Sequence, residues 1–158
     1  MRRVLLALTL LACGEPVPET GVMEGALAIP LNGKALDGVE WSLSAQQGRP
    51  TLVVFWASWC GPCMEEIPHL NALKREYGDR LELVGVNMGE SLSTIQNTRS
   101  VNEMSYATLL DNRGEIAGSW RVRKLPLMVV MDKEGRIRFR GIGTEEQLKV
   151  LLDSLVNA

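Results

Sequence analysis

Histidine occurs once and cysteine three times in this sequence, so a metal held by a pair of its cysteines has no evident third ligand. Lys and Arg do not outnumber Asp and Glu: 17 stand against 19, for a formal net charge of −2 and a pI of about 5.5. That balance lacks the basic footprint of a nucleic-acid binder. No internal repeat or low-complexity tract is visible. Long apolar runs are missing as well. The run near the N-terminus, Val4 to Leu11, falls far short of the ~20 residues that cross a bilayer as a helix.

What is present suits one domain, because 46% apolar residues in a chain of 158 can fill a single core. Arg2 and Arg3 before the short apolar run make the pattern of an export signal. The run closes on Leu10-Leu11-Ala12-Cys13, which resembles the bacterial lipobox, whose cysteine is lipidated and becomes the first mature residue. On that reading residues 1–12 are a lipoprotein signal peptide and Cys13 is the lipidation site. Residues 13–26, with Pro16 and Pro18, are then a flexible tether to a domain over 27–158. Cleavage nearby without lipidation is the plainer alternative. With Cys13 as anchor the other two cysteines form a pair, and the odd count needs no intermolecular disulfide.

Short strands are expected at 27–31 and 39–43, around a turn at Asn32-Gly33, with Asp37-Gly38 a second turn. Apolar residues at helical spacing, Met64, Ile67, Leu70, Leu73 and Tyr77, predict a helix kinked near Pro68 and ended by Gly78. A strand over 81–86 completes a β-α-β unit. A polar-faced helix over 91–103, a short strand over 106–110 and a brief helix near 116–120 follow. Residues 127–131 and 136–140 predict a strand pair turning at Lys133-Glu134-Gly135. Thr144 and Gln147 fit a capping box ahead of the apolar stripe Leu148, Leu151, Leu152, Leu155 and Val156, so an amphipathic helix closes the chain.

The chemistry centres on Thr-Leu-Val-Val-Phe-Trp-Ala-Ser-Trp-Cys-Gly-Pro-Cys, residues 51–63. Thr51 to Trp56 reads as a buried strand that delivers two cysteines to the start of a helix. Unpaired N–H groups and the helix dipole there favour a thiolate at Cys60, which is therefore the candidate nucleophile. Cys63, two residues beyond Gly61 and Pro62, can close a small ring with it, and Pro62 is tolerated where a helix has no use for an N–H. This segment resembles the active site of the thioredoxin superfamily. Its continuation, Met64-Glu65-Glu66-Ile67-Pro68, resembles the exported branch typified by the thiol-disulfide oxidoreductases TlpA and ResA.

The resemblance implies an α/β fold with a central mixed sheet flanked by helices, plus an extra N-terminal β-hairpin formed by 27–31 and 39–43. It places Pro126 at the cis-proline facing the two cysteines, so that the Leu125 backbone pairs with an extended substrate strand. Leu127, Met128 and Val129 depart from the threonines and aromatic that often follow that proline, and Lys124 stands where glycine is common. Cytosolic thioredoxins bury an acid where this chain has Val54. A base for Cys63 is instead sought at Glu66, three residues on and on the same helical face, in the acid position of the branch's Cys-x-x-Glu-x-Pro pattern. A solvated first-turn glutamate is the structural alternative. Trp59 serves recognition or packing, His69 a surface or packing role. Arg121, Arg123, Lys124, Arg136, Arg138 and Arg140 read as a protected sheet edge or solvated face in preference to a docking patch.

Together these imply a lipid-anchored enzyme on the extracytoplasmic side of a bacterial membrane, in the periplasm or at the cell surface. It would act on disulfides of exported proteins, apocytochromes c among them, and draw electrons from a membrane donor of the CcdA or DsbD kind. No cofactor, no resident metal and no nucleic acid are expected, and the chain is expected to be a monomer. A disulfide donor or isomerase is the rival within the enzyme class. A copper chaperone using the same two thiolates is the rival outside it.

Overall fold

The computed structural model describes residues 19–158. In chain order its elements are β1 (Thr20–Gly21), β2 (Leu27–Ala28), β3 (Asn32–Ala35), β4 (Glu40–Ser42), β5 (Thr51–Trp56), α1 (Gly61–Tyr77), β6 (Glu82–Asn87) and α2 (Leu92–Val101). β7 (Ala107–Leu110), α3 (Glu115–Ser119), β8 (Leu127–Met131), β9 (Ile137–Gly141) and α4 (Glu145–Val156) complete it. Seven strands form one sheet in the order β4-β3-β7-β6-β5-β8-β9, with β5 parallel to β6 and antiparallel to β8. The sheet is therefore mixed, and the fold is the expected thioredoxin-like α/β arrangement.

β5 owes its inner place to being apolar on both faces. Side chains alternate across a strand, so Leu52, Val54 and Trp56 enter one core layer and Val53 and Phe55 the other. The first layer packs against Ile67, Leu70, Leu73 and Tyr77 of α1 and Leu148 and Leu152 of α4. The second holds Val84, Val86, Leu109, Trp120 and Met131. β8 repeats the pattern, with Met128 and Val130 in the first layer and Val129 and Met131 in the second. Such two-sided burial explains why both strands read as continuous apolar runs.

The helix boundaries follow the end signals. Ser91 caps α2 by accepting the Thr94 N–H at 3.2 Å. Thr144 and Gln147 make the reciprocal capping box at α4, with bonds of 3.3 and 3.1 Å. α1 continues through Pro68 and ends at Gly78, whose φ of 55° suits glycine. The Tyr77 hydroxyl donates to Asp153 Oδ1 at 2.8 Å and so ties the end of α1 to α4.

The N-terminal part departs from expectation in two ways. The hairpin is β3–β4, turning at Asp37-Gly38, where Gly38 has φ 86° and Val39 N–H donates to Asp37 Oδ1 at 3.0 Å. Asn32-Gly33 is no turn: Gly33 pairs with Trp41 inside the strands. Its glycine serves close approach, since a Cβ there would meet Ile116 Cδ1 at 3.2 Å and Leu109 Cβ at 3.3 Å. The second departure is that the strand expected at 27–31 shrinks to β2, which pairs in parallel with β1. Part of the segment read as tether is thus packed against the domain. Val22 is buried in the second core layer, and Gly25 N–H donates to Ile137 O at 2.8 Å. Cys13 and the signal segment 1–12 lie outside the described residues.

Candidate active site

β5 and β6 run in parallel, with Trp56 opposite Asn87, so both strands open at the same edge of the sheet. Cys60 is the N-cap of α1, with extended backbone at φ −89° and ψ 100°. Its sulfur accepts the Cys63 N–H at 3.2 Å, one of the N–H groups that the first turn leaves without a helical partner. Pro62 occupies the first turn, where its lack of an N–H costs nothing. Cys60 and Cys63 are joined in a disulfide with Cα atoms 5.2 Å apart. Both are nearly covered, at 5% and 3% exposure, against the core of Val54, Trp56 and Ile67. Around them Trp59 (72% exposed), Gly61 and Pro62 face solvent. A redox pair that is sealed below and ringed by exposed groups can meet a partner from one side only.

The loop that carries Cys60 is braced by residues the sequence reading did not single out. Ser58 N–H donates to Glu90 Oε2 at 2.8 Å and the Ser58 hydroxyl donates to Oε1. Asn87 Nδ2 adds a bond to Glu90 Oε2 at 2.7 Å, and its Oδ1 accepts the Glu90 N–H at 3.1 Å. Burial pushes the Glu90 carboxyl up, but the bonds from Ser58 and Asn87 outweigh it and hold the group below its ordinary value. One signal could have found this brace: Asn87 and Glu90 stand at the carboxyl end of the strand expected to lie parallel to β5.

Leu125-Pro126 is a cis peptide bond. Phe55 pairs with Leu127, so the bond sits at the end of β8 that borders the exit of β5. Pro126 is buried and Leu125 half-buried. Val54, the residue in place of an acid, is buried in the first core layer. Glu66 lies one turn beyond Cys63 on α1, and its Oε2 is buried with no hydrogen-bond donor among the described residues. The closest approach by a base is His69 Nδ1 at 3.5 Å, an ion-pair distance too long for a well-formed hydrogen bond. His69 Nε2 lies 3.5 Å from Glu145 Oε2, so the lone histidine bridges α1 and α4 between two carboxylates. Among the described residues no group of three or more Cys, His, Asp or Glu side chains could hold a metal ion.

Three comparisons place this geometry among known proteins. The AhpC/TSA family model matches residues 25–140. The thioredoxin-like protein YneN of Bacillus subtilis is 32% identical over 129 residues, covering 80% of this chain and 75% of its own. The thiol-disulfide oxidoreductase ResA of Geobacillus thermodenitrificans is 28% identical over 164 residues, covering 98% of this chain and 94% of its own. Among solved structures, the thioredoxin domain of a thiol-disulfide oxidoreductase from Bacteroides vulgatus superposes with a TM-score of 0.77 at 20% identity, over 84% of this chain and 98% of that one. The chain belongs to the AhpC/TSA family of thioredoxin-like proteins and is a thiol-disulfide oxidoreductase.

Proposed function

We propose that this oxidoreductase reduces disulfides of exported proteins from the extracytoplasmic face of a bacterial membrane, to which a lipid on Cys13 holds it. Apocytochromes c, with their haem-attachment cysteines, are among the substrates that the resemblance to the TlpA and ResA branch implies. The observation that carries the chemistry is the Cys63 N–H aimed at the Cys60 sulfur at the mouth of α1, a contact that favours a thiolate there once the disulfide is opened. Cys60 thiolate attacks one sulfur of a substrate disulfide and expels the other as a thiolate, leaving a mixed disulfide. Cys63 then passes its proton to Glu66 and attacks Cys60 Sγ. The Cys60–Cys63 bond forms, the second substrate sulfur leaves, and two electrons have moved to the substrate.

Trp59, Gly61 and Pro62 form the exposed contact rim, and the Leu125 backbone beside Pro126 aligns the substrate strand. Gly61-Pro62 is the dipeptide of thioredoxin, whose potential of about −270 mV makes it a reductant. In an oxidising compartment the dithiol must be renewed, which calls for a membrane thiol donor of the CcdA or DsbD kind. The deciding experiment expresses the full chain with Cys63→Ser in its host and identifies the proteins trapped on Cys60. Exported disulfide proteins are the expected catch. A catch confined to proteins that never leave the cytoplasm, or a Cys60–Cys63 potential near the ~−120 mV of DsbA, would overturn the location or the direction respectively.

A further inference from the structure

The surroundings of Arg121, Arg123, Lys124, Arg136, Arg138 and Arg140 divide these cations in two. Arg136 Nη1 donates to the Gly25 carbonyl at 2.5 Å, Arg138 pairs with Asp132 at 3.4 Å, and Arg140 donates to the carbonyls of Trp120 and Arg121 at 2.7 and 3.3 Å. These three are fastened into the fold. Arg121, Arg123 and Lys124 are exposed, and no ion pair among the described residues includes any of them. They occupy the stretch that runs directly into Leu125-Pro126, and Leu125 packs against the core layer that holds Cys60 and Cys63.

The stretch is held in shape from within. Arg121 has a φ of 51°, fixed by its N–H to Gly118 O at 3.0 Å and by Val122 N–H to Ala117 O at 2.9 Å. Arg140 clamps it from below, and burial together with the Arg121 charge lowers the proton affinity of that guanidinium. Glu19 and Glu24 line one surface cavity with Arg121, and Glu24 accepts the Arg140 backbone N–H at 3.0 Å, whereas Arg123 and Lys124, the other cations of the loop, do not line that cavity. The cations of the loop therefore stand on a fixed backbone beside another cation, in a chain whose net charge is −2. A sheet edge needs charge to repel another edge, but this loop is not a strand, and its last cation, Lys124, directly precedes Leu125 in the chain.

We propose that Arg121, Arg123 and Lys124 are a docking element for acidic residues flanking the substrate's cysteine, so that the preferred partner carries Asp or Glu beside the attacked sulfur. The proposal rests on the thiol-exchange reading of Cys60 and Cys63 and adds the substrate class. Charge complementarity of this kind acts chiefly on encounter, where it raises association rates by about 10-fold or more and fades with salt.

The test compares two synthetic peptides, identical except that glutamates or lysines flank one disulfide, in their reaction with the full reduced protein. The glutamate peptide is expected to react ~10-fold faster at low ionic strength. The ratio should fall toward unity at about 1 M salt, where screening reaches ~3 Å. Arg123→Gln with Lys124→Gln should abolish most of the preference, and Arg123→Glu with Lys124→Glu should invert it, which no folding defect can do. Equal rates for both peptides, or a preference that survives both double variants, would overturn the inference. So would variants that alter only binding to vesicles of anionic phospholipid, which would make the loop a membrane contact. The preference belongs to encounter, so oxidised protein against the peptide dithiols should show it too. Reaction in that direction alone would sink the reductant assignment while the charge ratio still decides the docking element.

Discussion

Ser58 and Glu90 are bonded twice across 32 residues, once through the Ser58 backbone N–H at 2.8 Å and once through its hydroxyl. The turn that delivers Cys60 is therefore tied to the end of β6, and its shape depends on an ionised carboxylate. Glu90→Ala leaves the Ser58 and Asn87 donors without their acceptor, at a cost of about 1–3 kcal/mol in unfolding free energy. The sign of the pH dependence follows from the lowered Glu90 value. Stability from this group is fully present above the ordinary value of 4.5 and is lost as pH falls through the lower folded value. Urea midpoints from pH 7 downward should show the loss in the wild type, and Glu90→Gln should flatten it.

Gly85 leaves room for the indole that ends β5. A Cβ on Gly85 would stand 2.8 Å from Trp56 Nε1 and 3.1 Å from Cδ1, and Trp56 is 2% exposed with nowhere to retreat. Gly85→Ala should therefore destabilise the protein by about 1–3 kcal/mol through overpacking. Chemical denaturation should register a lower midpoint with an unchanged slope.

Cys60 should ionise more readily than an ordinary cysteine, near 8.5, once the disulfide is reduced. The cause is local: an N-cap sulfur receives a first-turn N–H at 3.2 Å and the positive end of a helix dipole. Cys63→Ser combined with Cys13→Ser keeps that N–H and removes both other thiols, so the thiolate absorbance of the reduced variant titrates Cys60 alone. A midpoint at or above the ordinary value would show that the cap geometry does not activate the sulfur.

Much of this architecture was legible because its signals are local. β5 and β8 are apolar on both faces, Thr144 and Gln147 sit at capping-box spacing, and the Cys60–Cys63 spacing is itself the ring that forms. Pro126 came through the resemblance, since nothing in its neighbours distinguishes a cis bond. The misreadings are non-local. Gly33 looked like a turn glycine, but it is small because Leu109 and Ile116 press on it from β7 and α3. Residues 19–26 read as a tether by composition, yet Val22 enters the second core layer and Gly25 N–H donates to Ile137 O, a contact across more than 100 positions that no local pattern announces. Glu90 escaped notice because its bond to Ser58 exists only once β5 and β6 have taken their register. His69, given a surface or packing role, is exposed, and its two nitrogens face carboxylates on different helices.

Glu66 is the residue whose role most needs a kinetic measurement. Its Oε2 is buried without a hydrogen-bond donor among the described residues, one turn from Cys63, and the neighbouring core offers Val54 where an acid could have stood. A resolving thiol must lose a proton before it attacks, and general-base help of this kind contributes typically ~10²-fold or more. Glu66→Gln preserves shape and removes the base. Release of a chromogenic thiol from a mixed disulfide preformed on Cys60 should therefore slow by about 10²-fold at neutral pH. Hydroxide can take the same proton, so the deficit should shrink as pH rises and the rate profile should move to the alkaline side. A residue that served only packing would slow the step by a constant factor at every pH, and an unchanged profile would take Glu66 out of the reaction.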